Sequence, residues 1–245
     1  MIRLPQLDPA APTRFPDPRA ALPEPNGLLA FGGDLSPKRL LAAYGQGIFP
    51  WFGEEEPILW WSPDPRCVFR TENMHVNRSL RRQLRGKRWR LSVDRAFEAV
   101  IRACAAPRDG HAGTWILPGM IEAYTQLHRL GHAHSVEVWD GERLVGGIYG
   151  VAVGQLFCGE SMFSAESGGS KLALAALAGL LRQWGWPLID AQVANAHTLG
   201  LGAEELSRER FLHEVAQLAA LPGRVGNWAD AGALLIQPGD DQAVR

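Results

Sequence analysis

A buried-looking carboxylate is the first feature of this chain that could take part in chemistry. Glu160 lies among Phe157, Met162 and Phe163 in a glycine-rich stretch, residues 144–164, which leads through residues 168–171 into an apolar run. Burial raises the pKa of a carboxyl group unless hydrogen bonds offset it. A strand, a buried acid and the start of a helix together indicate a functional site on a rigid scaffold.

A second carboxylate follows a short apolar segment. Asp190 ends the run that begins at Leu188, and Gln192 lies two residues further on, which places both side chains on one face of a strand. A carboxylate in this position could accept or relay a proton. It could equally serve as a helix cap or a structural hydrogen-bonding group.

The elements that must position these residues are predicted from periodicity and turn signals. Alternating apolar and polar residues on either side of an Asp-Gly turn predict a β-hairpin. A later segment rich in alanine and leucine predicts a helix, and the short apolar run that follows this helix predicts a strand. The hairpin spans residues 134–149, a third strand residues 155–158, the helix residues 171–184 and the returning strand residues 188–192. These elements indicate an α+β or α/β sheet with a crossover at its centre.

The first quarter of the chain has a different character. Seven prolines among residues 1–26 predict an extended arm over the surface. Ser36-Pro37 predicts the start of a helix that ends at Gly45, and the segment after this helix leads to Trp51. Asp94 is expected to cap a helix, and Ser207 is expected to cap the last helix, which runs to about Ala220.

Composition excludes several classes of protein. The 245 residues carry 25 basic and 26 acidic side chains, so any polyanion-binding surface must come from local clustering. Three distant cysteines argue against a disulfide framework and fit a reducing cytoplasm. No signal peptide is recognised, and the longest apolar run, residues 172–181, is half the length of a membrane span. We therefore expect a soluble, cytoplasmic protein without a membrane partner.

One segment is locally basic. Between residues 78 and 90 the chain has no acidic residue and seven basic ones: Arg78, Arg81, Arg82, Arg85, Lys87, Arg88 and Arg90. Four of the arginines have the spacing of one helix face, as expected for contact with phosphates along a nucleic acid. The alternative is an ordinary solvated face, but the missing counter-charges favour phosphate contact.

Three familiar site types are rejected. Residues 168–171 resemble a phosphate-binding loop, but a serine separates the last glycine from Lys171. The sequence around Ser161 lacks the second glycine of a nucleophile elbow. His128, His132 and His134 span a helix end and a strand start without a matching acid, so we expect capping or core histidines and no metal site.

Several ordered strings nevertheless resemble one family, the bacterial leucyl/phenylalanyl-tRNA–protein transferases. The resemblance covers about residues 22–206. It rests on Glu24-Pro-Asn-Gly-Leu-Leu-Ala30, Gly32-Gly-Asp-Leu-Ser-Pro37, Gly47-Ile-Phe-Pro-Trp51, Trp60-Trp-Ser-Pro-Asp-Pro-Arg66, Gly113-Thr-Trp115, Leu130-Gly-His-Ala-His134, Gly159-Glu-Ser-Met-Phe-Ser164 and Leu188-Ile-Asp190 with Gln192. Gly169 and Gly200 depart from the residues common in the family, alanine and serine, at turns rather than at site positions.

The resemblance implies a fold and a reaction. It implies a small N-terminal domain, residues 1–65, and an acetyltransferase-like (GNAT-like) α+β domain, residues 66–245. The implied enzyme moves leucine or phenylalanine from Leu-tRNA or Phe-tRNA to the N-terminal Arg or Lys of an acceptor protein and so marks it for degradation. Because the aminoacyl ester is already activated, we expect no cofactor and no metal. A monomer is expected by resemblance alone.

The same resemblance, together with the chemistry, suggests roles for residues. Asp190 with Gln192 is the candidate base or relay, and Glu160 is assigned to positioning the aminoacyl amine or the acceptor. The basic segment would hold the tRNA backbone. The apolar pocket for the aminoacyl side chain is expected from Ile148, Phe157, Leu174 and Leu177, and stacking on the terminal adenosine of the tRNA is expected from Trp51, Trp115 and Tyr44.

Three alternatives remain from the residues. An acyl-CoA-dependent N-acetyltransferase is disfavoured because no R/QxxGxG/A-like turn is present to bind a pyrophosphate. A peptidoglycan-type aminoacyl-tRNA transferase would share the donor but use a cell-wall acceptor. A non-catalytic RNA-binding protein would not need Glu160, Asp190 and Gln192 together.

Overall fold

The computed structural model describes residues 4–74, 89–107 and 114–235. The N-terminal part forms a four-stranded sheet of spatial order β1-β2-β4-β3, in which only β1 and β2 are parallel. Its strands are β1 Gln6–Leu7, β2 Leu28–Gly32, β3 Phe49–Pro50 and β4 Leu59–Trp61, and helix α1, Pro37–Tyr44, connects β2 to β3. Apart from one turn of 3-10 helix, Pro18–Ala20, the proline-rich segment contains no helix between residues 4 and 26.

The larger sheet has seven strands in the order β11-β5-β10-β9-β8-β7-β6. They are β5 Arg66–Arg70, β6 Trp89–Val93, β7 Ala133–Asp140, β8 Arg143–Val153, β9 Leu156–Ser164, β10 Leu188–Gln192 and β11 Glu204–Leu206. Every neighbouring pair is antiparallel except β9 and β10. A parallel pair requires a crossover connection, and here the connection contains helix α4, Gly169–Gln183.

The remaining helices of the described residues precede or follow strands of this sheet. They are α2 Phe97–Ala105, α3 Pro118–Arg129, α5 Ala196–Gly200 and α6 Arg208–Ala220, with 3-10 turns at Thr71–Asn73 and Ala229–Leu234. The predicted hairpin, central helix, returning strand and last helix are confirmed, and the Ser207 side chain caps α6 by accepting from Arg210 N. Over its described residues, the chain is therefore a mixed α+β fold with two sheets.

One helix-cap prediction is wrong. Helix α2 begins at Phe97, and Asp94 does not cap it. Instead, Asp94 adopts φ 53°, and its carboxylate accepts from the backbone N–H groups of Ser135 and Trp228 and bonds His134. Asp94 thus joins β7 to the C-terminal segment.

Two apolar cores lie on opposite faces of the seven-stranded sheet, because alternate residues of β8 belong to different cores: Val151 to the first and Ala152 to the second. The first core includes residues of α1, α2, α3, α6 and the N-terminal sheet. The second is built mainly on α4 and Trp228. The N-terminal sheet therefore shares a core with one face of the larger sheet.

Candidate active site

A cavity of about 1090 Å³ opens where the parallel strands β9 and β10 stop pairing. The last paired residues are Cys158 and Asp190. Beyond them β9 continues along β8, whereas β10 leads into α5, and residues from both branches line the cavity. Its volume is slightly above the range typical of small-molecule sites, roughly 300–1,000 Å³.

Two β-bulges shape this region. On β9, Gly159 pairs with Gly150 and Ser161 pairs with Tyr149, so Glu160 is the extra residue between them. On β10, a second shift falls between Asp190 and Gln192. Bulges re-aim side chains and occur often beside active sites. The φ of 62° at Gln192 is unusual for a non-glycine residue and shows that the backbone is held in an uncommon conformation there.

Glu160 is the hub of a buried hydrogen-bond network. Its side chain lines the cavity, yet the residue is only 8% exposed. Gln192 Nε2 donates to Oε1 at 2.7 Å, and Tyr124 Oη donates to Oε2 at 2.9 Å. Burial raises the pKa of Glu160 to about 7, with a contribution from the nearby Asp190 charge, although the hydrogen bonds from the tyrosines and Gln192 act in the opposite direction. The carboxyl group is thus poised between its two protonation states at neutral pH.

Two tyrosines support that carboxyl group from the first core. Burial raises the pKa of both Tyr44 and Tyr124 well above the usual value, so both hydroxyls keep their protons. The single hydroxyl proton of Tyr124 is directed at Glu160, and the Tyr44 hydroxyl makes a short hydrogen bond to Tyr124. A donor chain from α1 through α3 therefore ends on Glu160.

Asp190 has a different kind of partner. Its two carboxylate oxygens accept from Arg66, with Nε to Oδ1 at 2.8 Å and Nη2 to Oδ2 at 2.7 Å, and both side chains are 0–1% exposed. Oδ1 also accepts the backbone N–H of Gln192 at 2.9 Å. The carboxylate is therefore fully engaged by a paired cation and a backbone donor.

The structure brings Glu160, Asp190 and Gln192 together through hydrogen bonds to Gln192. Sequence reasoning missed Arg66 and Tyr124. Arg66 ends the Trp-Trp-Ser-Pro-Asp-Pro-Arg string, which was the available signal, whereas Tyr124 looked like one more core position of a helix.

The four residues expected to form the aminoacyl pocket separate into two pairs. Ile148 and Leu174 line the cavity. Phe157 and Leu177 are buried in the second core and are not among the lining residues, so the structure does not place them in the expected pocket. The apolar lining instead includes other side chains: Phe69, Leu144, Met162, Phe163 and Ile189.

The three aromatic residues expected to stack on adenosine lie in three settings. Trp115 lines the cavity and is half-buried. Trp51 is 45% exposed beside Trp61, at 5.6 Å between ring centroids, and is not a lining residue. Tyr44 is 1% exposed, so its ring offers no face to a base, and its predicted stacking role is wrong in this structure.

The remaining predicted groups are placed as follows. Arg78, Arg81, Arg82, Arg85, Lys87 and Arg88 lie outside the described residues. His134 is buried, bonds Asp94 through Nδ1 at 2.8 Å and stacks on Trp228. Across residues 4–74, 89–107 and 114–235, no group of three or more His, Cys, Asp or Glu side chains could hold a metal ion, and no helix is long and apolar enough to cross a membrane.

Comparison of the sequence with known proteins and protein families gives matches over segments that form the two sheets and the cavity. The family model described as leucyl/phenylalanyl-tRNA protein transferase matches residues 68–216, and that of the N-terminal domain of leucyl/phenylalanyl-tRNA protein transferase matches residues 33–64. A leucyl/phenylalanyl-tRNA--protein transferase of Xanthomonas euvesicatoria pv. vesicatoria (strain 85-10) is 62% identical over 91% of this chain and 90% of its own length. That of Xanthomonas campestris pv. campestris (strain B100) is 63% identical over 90% of this chain and 88% of its own length.

Among solved structures, a functionally unknown conserved protein from Staphylococcus epidermidis ATCC 12228 is 11% identical, with a TM-score of 0.41, and the match covers 74% of this chain and 68% of that one. A likeness of this size carries no argument about function. The two family models and the relatives, in contrast, match most of the chain, including the segments that carry Glu160, Asp190 and Gln192. The chain belongs to the leucyl/phenylalanyl-tRNA protein transferase family.

Proposed function

We propose that this chain transfers leucine or phenylalanine from aminoacyl-tRNA to the N-terminal Arg or Lys of acceptor proteins, which tags them for degradation. The family supplies the reaction class. The observation that carries the proposal for the site is a carboxyl group, Glu160, with a pKa of about 7 in the wall of a cavity large enough for an aminoacyl ester.

The chemistry requires positioning and one proton acceptor. The amine nitrogen of the acceptor bonds to the ester carbonyl carbon, the bond from that carbon to the ribose oxygen breaks, and an amine proton must leave. An α-amine with an ordinary pKa of roughly 7.7 to 8.0 is partly neutral at pH 7. A general base is most efficient when its own pKa lies near the working pH. Glu160 meets this condition and can pass the proton on to the departing ribose oxygen.

Asp190 has a supporting role in this proposal. From the sequence, Asp190 is the candidate base or relay, but both of its oxygens already accept hydrogen bonds from Arg66. Accepting a further proton would leave that buried guanidinium without its counter-charge, which is costly. We therefore assign proton acceptance to Glu160 and assign Asp190 to holding Gln192, whose amide orients Glu160.

The donor fits the apolar part of the cavity. Ile148 and Leu174, together with Phe69 and Ile189, offer an apolar surface for a side chain that is not β-branched, such as that of leucine or phenylalanine. Trp115, at the cavity, and Trp51, exposed after β3, are the proposed stacking surfaces for the terminal adenosine.

The tRNA backbone would be held by the basic segment of residues 78–88, a proposal that rests on the sequence alone. Charge reversal at Arg82 and Arg85 should flatten the salt dependence of tRNA binding. If the dependence of tRNA affinity on salt concentration is unchanged, the segment is an ordinary solvated face and does not contact the tRNA. The matched control is charge reversal at Arg19, a 64% exposed arginine side chain of the N-terminal segment.

The domain division and the fold subtype are also proposals. We place a small N-terminal domain at residues 1–65 and an acetyltransferase-like domain at residues 66–245. The division is supported by the separate four-stranded sheet, which ends at Trp61. The fold subtype is supported by one parallel strand pair that parts around a site in an otherwise antiparallel sheet. We further propose a cytoplasmic monomer, since its three cysteines are buried and not joined in disulfides, which suits a reducing compartment.

The proposed function is tested by transfer assays with radiolabelled donors. The protein is incubated with Phe-tRNA, Leu-tRNA or acetyl-CoA and with matched peptides that begin with Arg, Lys or Gly. We expect aminoacyl transfer to the Arg and Lys peptides only, and no acetyl transfer. Transfer to all three peptides would contradict the proposed acceptor specificity, and acetylation without aminoacyl transfer would overturn the reaction.

A further inference from the structure

Arg66 joins the proposed catalytic carboxylates to a distant part of the chain. The residue opens β5, is completely buried and forms a two-point ion pair with Asp190. Such a pair fixes the plane of a carboxylate as well as its position, because the two parallel N–H groups of a guanidinium match the two oxygens. A buried ion pair often contributes little net free energy to folding, because desolvation of the two charges offsets their attraction. We therefore look for a role of this pair other than stabilising the fold.

The same guanidinium also contacts the segment that leads to Trp51. Nη1 donates to the carbonyl oxygen of Gly47 at 3.1 Å, and the guanidinium lies 4.8 Å from the ring centroid of Phe49. Phe211 of α6 provides a second ring at 4.5 Å. Arg66 therefore connects the β3 segment, which presents the proposed adenosine-stacking tryptophan, to Asp190.

The chain of contacts continues into the cavity. Asp190 Oδ1 accepts the backbone N–H of Gln192, and Gln192 Nε2 donates to Glu160. Gln192 has a φ of 62°, a conformation that costs free energy in a non-glycine residue and persists only where the surroundings impose it. The Arg66-anchored carboxylate is one of those surroundings.

We infer that Arg66 is a positioning residue for the transfer reaction. Through Asp190 and Gln192 it fixes the side chain of Glu160, and it holds that side chain in a constant position relative to residues 47–51, which include β3 and Trp51. The inference rests on the proposed function for its catalytic meaning. It adds a residue that does not itself line the cavity, and whose removal disturbs the reaction step more than it disturbs binding of the donor.

The chain offers a matched control in Arg39. This arginine is also completely buried, and it is held by an ion pair to Asp34 and by the carbonyl oxygen of Asp8. Neither partner belongs to the cavity lining. Arg39→Met therefore removes a buried guanidinium that has no contact with Asp190, Gln192 or Glu160 among its partners.

The first experiment compares Arg66→Met with Arg39→Met in steady-state transfer from phenylalanyl-adenosine to an Arg peptide. Because small misplacements of a reacting group cost on the order of 100-fold in rate, we expect Arg66→Met to lower kcat by about that factor and to change the KM of the donor by less than about threefold. Arg39→Met should change kcat by less than about threefold. Equal losses of kcat in both variants would overturn the inference. If Arg66→Met does not fold, Arg66→Lys with Arg39→Lys gives the same comparison.

A second measurement does not depend on activity. The side-chain amide of Gln192, observed by NMR in protein labelled with ¹⁵N-glutamine, should titrate near pH 7 because it bonds Glu160. We expect Arg66→Met or Arg66→Lys to abolish or strongly reduce that titration and the Arg39 variant to keep it. An unchanged titration in the Arg66 variants would overturn the positioning role even if transfer is intact. If the Arg66 variants lose the titration but the parent protein transfers no amino acid, Arg66 still positions Glu160 and it is the proposed function that is rejected.

Discussion

The buried carboxyl group of Glu160 makes a quantitative prediction about stability. Its pKa is about 7 in the folded chain, against an ordinary value of 4.5, and the difference of about 2.5 corresponds to about 3 kcal/mol at roughly 1.4 kcal/mol per pKa unit. Because the folded-state pKa is the higher one, this stabilisation is fully present below about pH 4.5. It is lost as the pH rises through about 7.

Glu160→Gln removes the titration and keeps the size of the side chain. We expect the free energy of unfolding of the parent protein to fall, relative to that of Glu160→Gln, by about 3 kcal/mol between pH 4 and pH 8. Other buried titrating groups, such as His134 and Glu137, are common to both proteins, so their contributions cancel in the difference.

The assay is urea unfolding followed by tryptophan fluorescence at half-unit pH steps. The linear extrapolation gives the free energy of unfolding at each pH, provided that the two proteins have equal slopes. Parallel stability curves for the two proteins would refute the reasoning, since they would mean that Glu160 titrates alike in the folded and unfolded chains.

Three further predictions follow from the site. Asp190→Asn leaves the buried Arg66 without a counter-charge and should cost about 3–5 kcal/mol in urea unfolding; a loss below about 1 kcal/mol would contradict the buried pair. Leu174→Ala and Leu177→Ala should each cost about 2–5 kcal/mol, but only Leu174→Ala should change the ratio of Phe to Leu transfer, because only Leu174 lines the cavity. Equal changes in that ratio would refute the assignment of the lining. Trp51→Ala should weaken binding of phenylalanyl-adenosine by roughly 1–3 kcal/mol in titration calorimetry, and unchanged affinity would remove its stacking role.

The sequence predicted the elements whose signals are local. The Asp140-Gly141 turn places the hairpin of β7 and β8, and the run of alanine and leucine places α4 between β9 and β10. Both signals act within a few residues, so periodicity and turn chemistry were sufficient. They also predicted the strand at residues 155–158, just before Glu160, and the strand at residues 188–192, which carries Asp190.

The features that assign roles are not local. Arg66 and Asp190 are 124 positions apart, and Tyr44 and Tyr124 are 80 apart. The two bulges depend on pairing between strands, which periodicity does not reveal. Tyr44 illustrates the consequence: an aromatic residue near the end of a helix could stack on a ligand, but the fold buries it and uses its hydroxyl instead.

Burial alone does not divide the work between the two carboxylates. Asp190 and Glu160 are both at least nine-tenths buried on adjacent strands. Asp190 faces a guanidinium, whereas Glu160 accepts hydrogen bonds from two neutral donors, Tyr124 and Gln192. The guanidinium fixes the position and the plane of the Asp190 carboxylate, whereas burial among neutral donors raises the pKa of Glu160 to about 7. The identity of the partner therefore decides the role, and in this chain the partner of Asp190 comes from the first residue of β5.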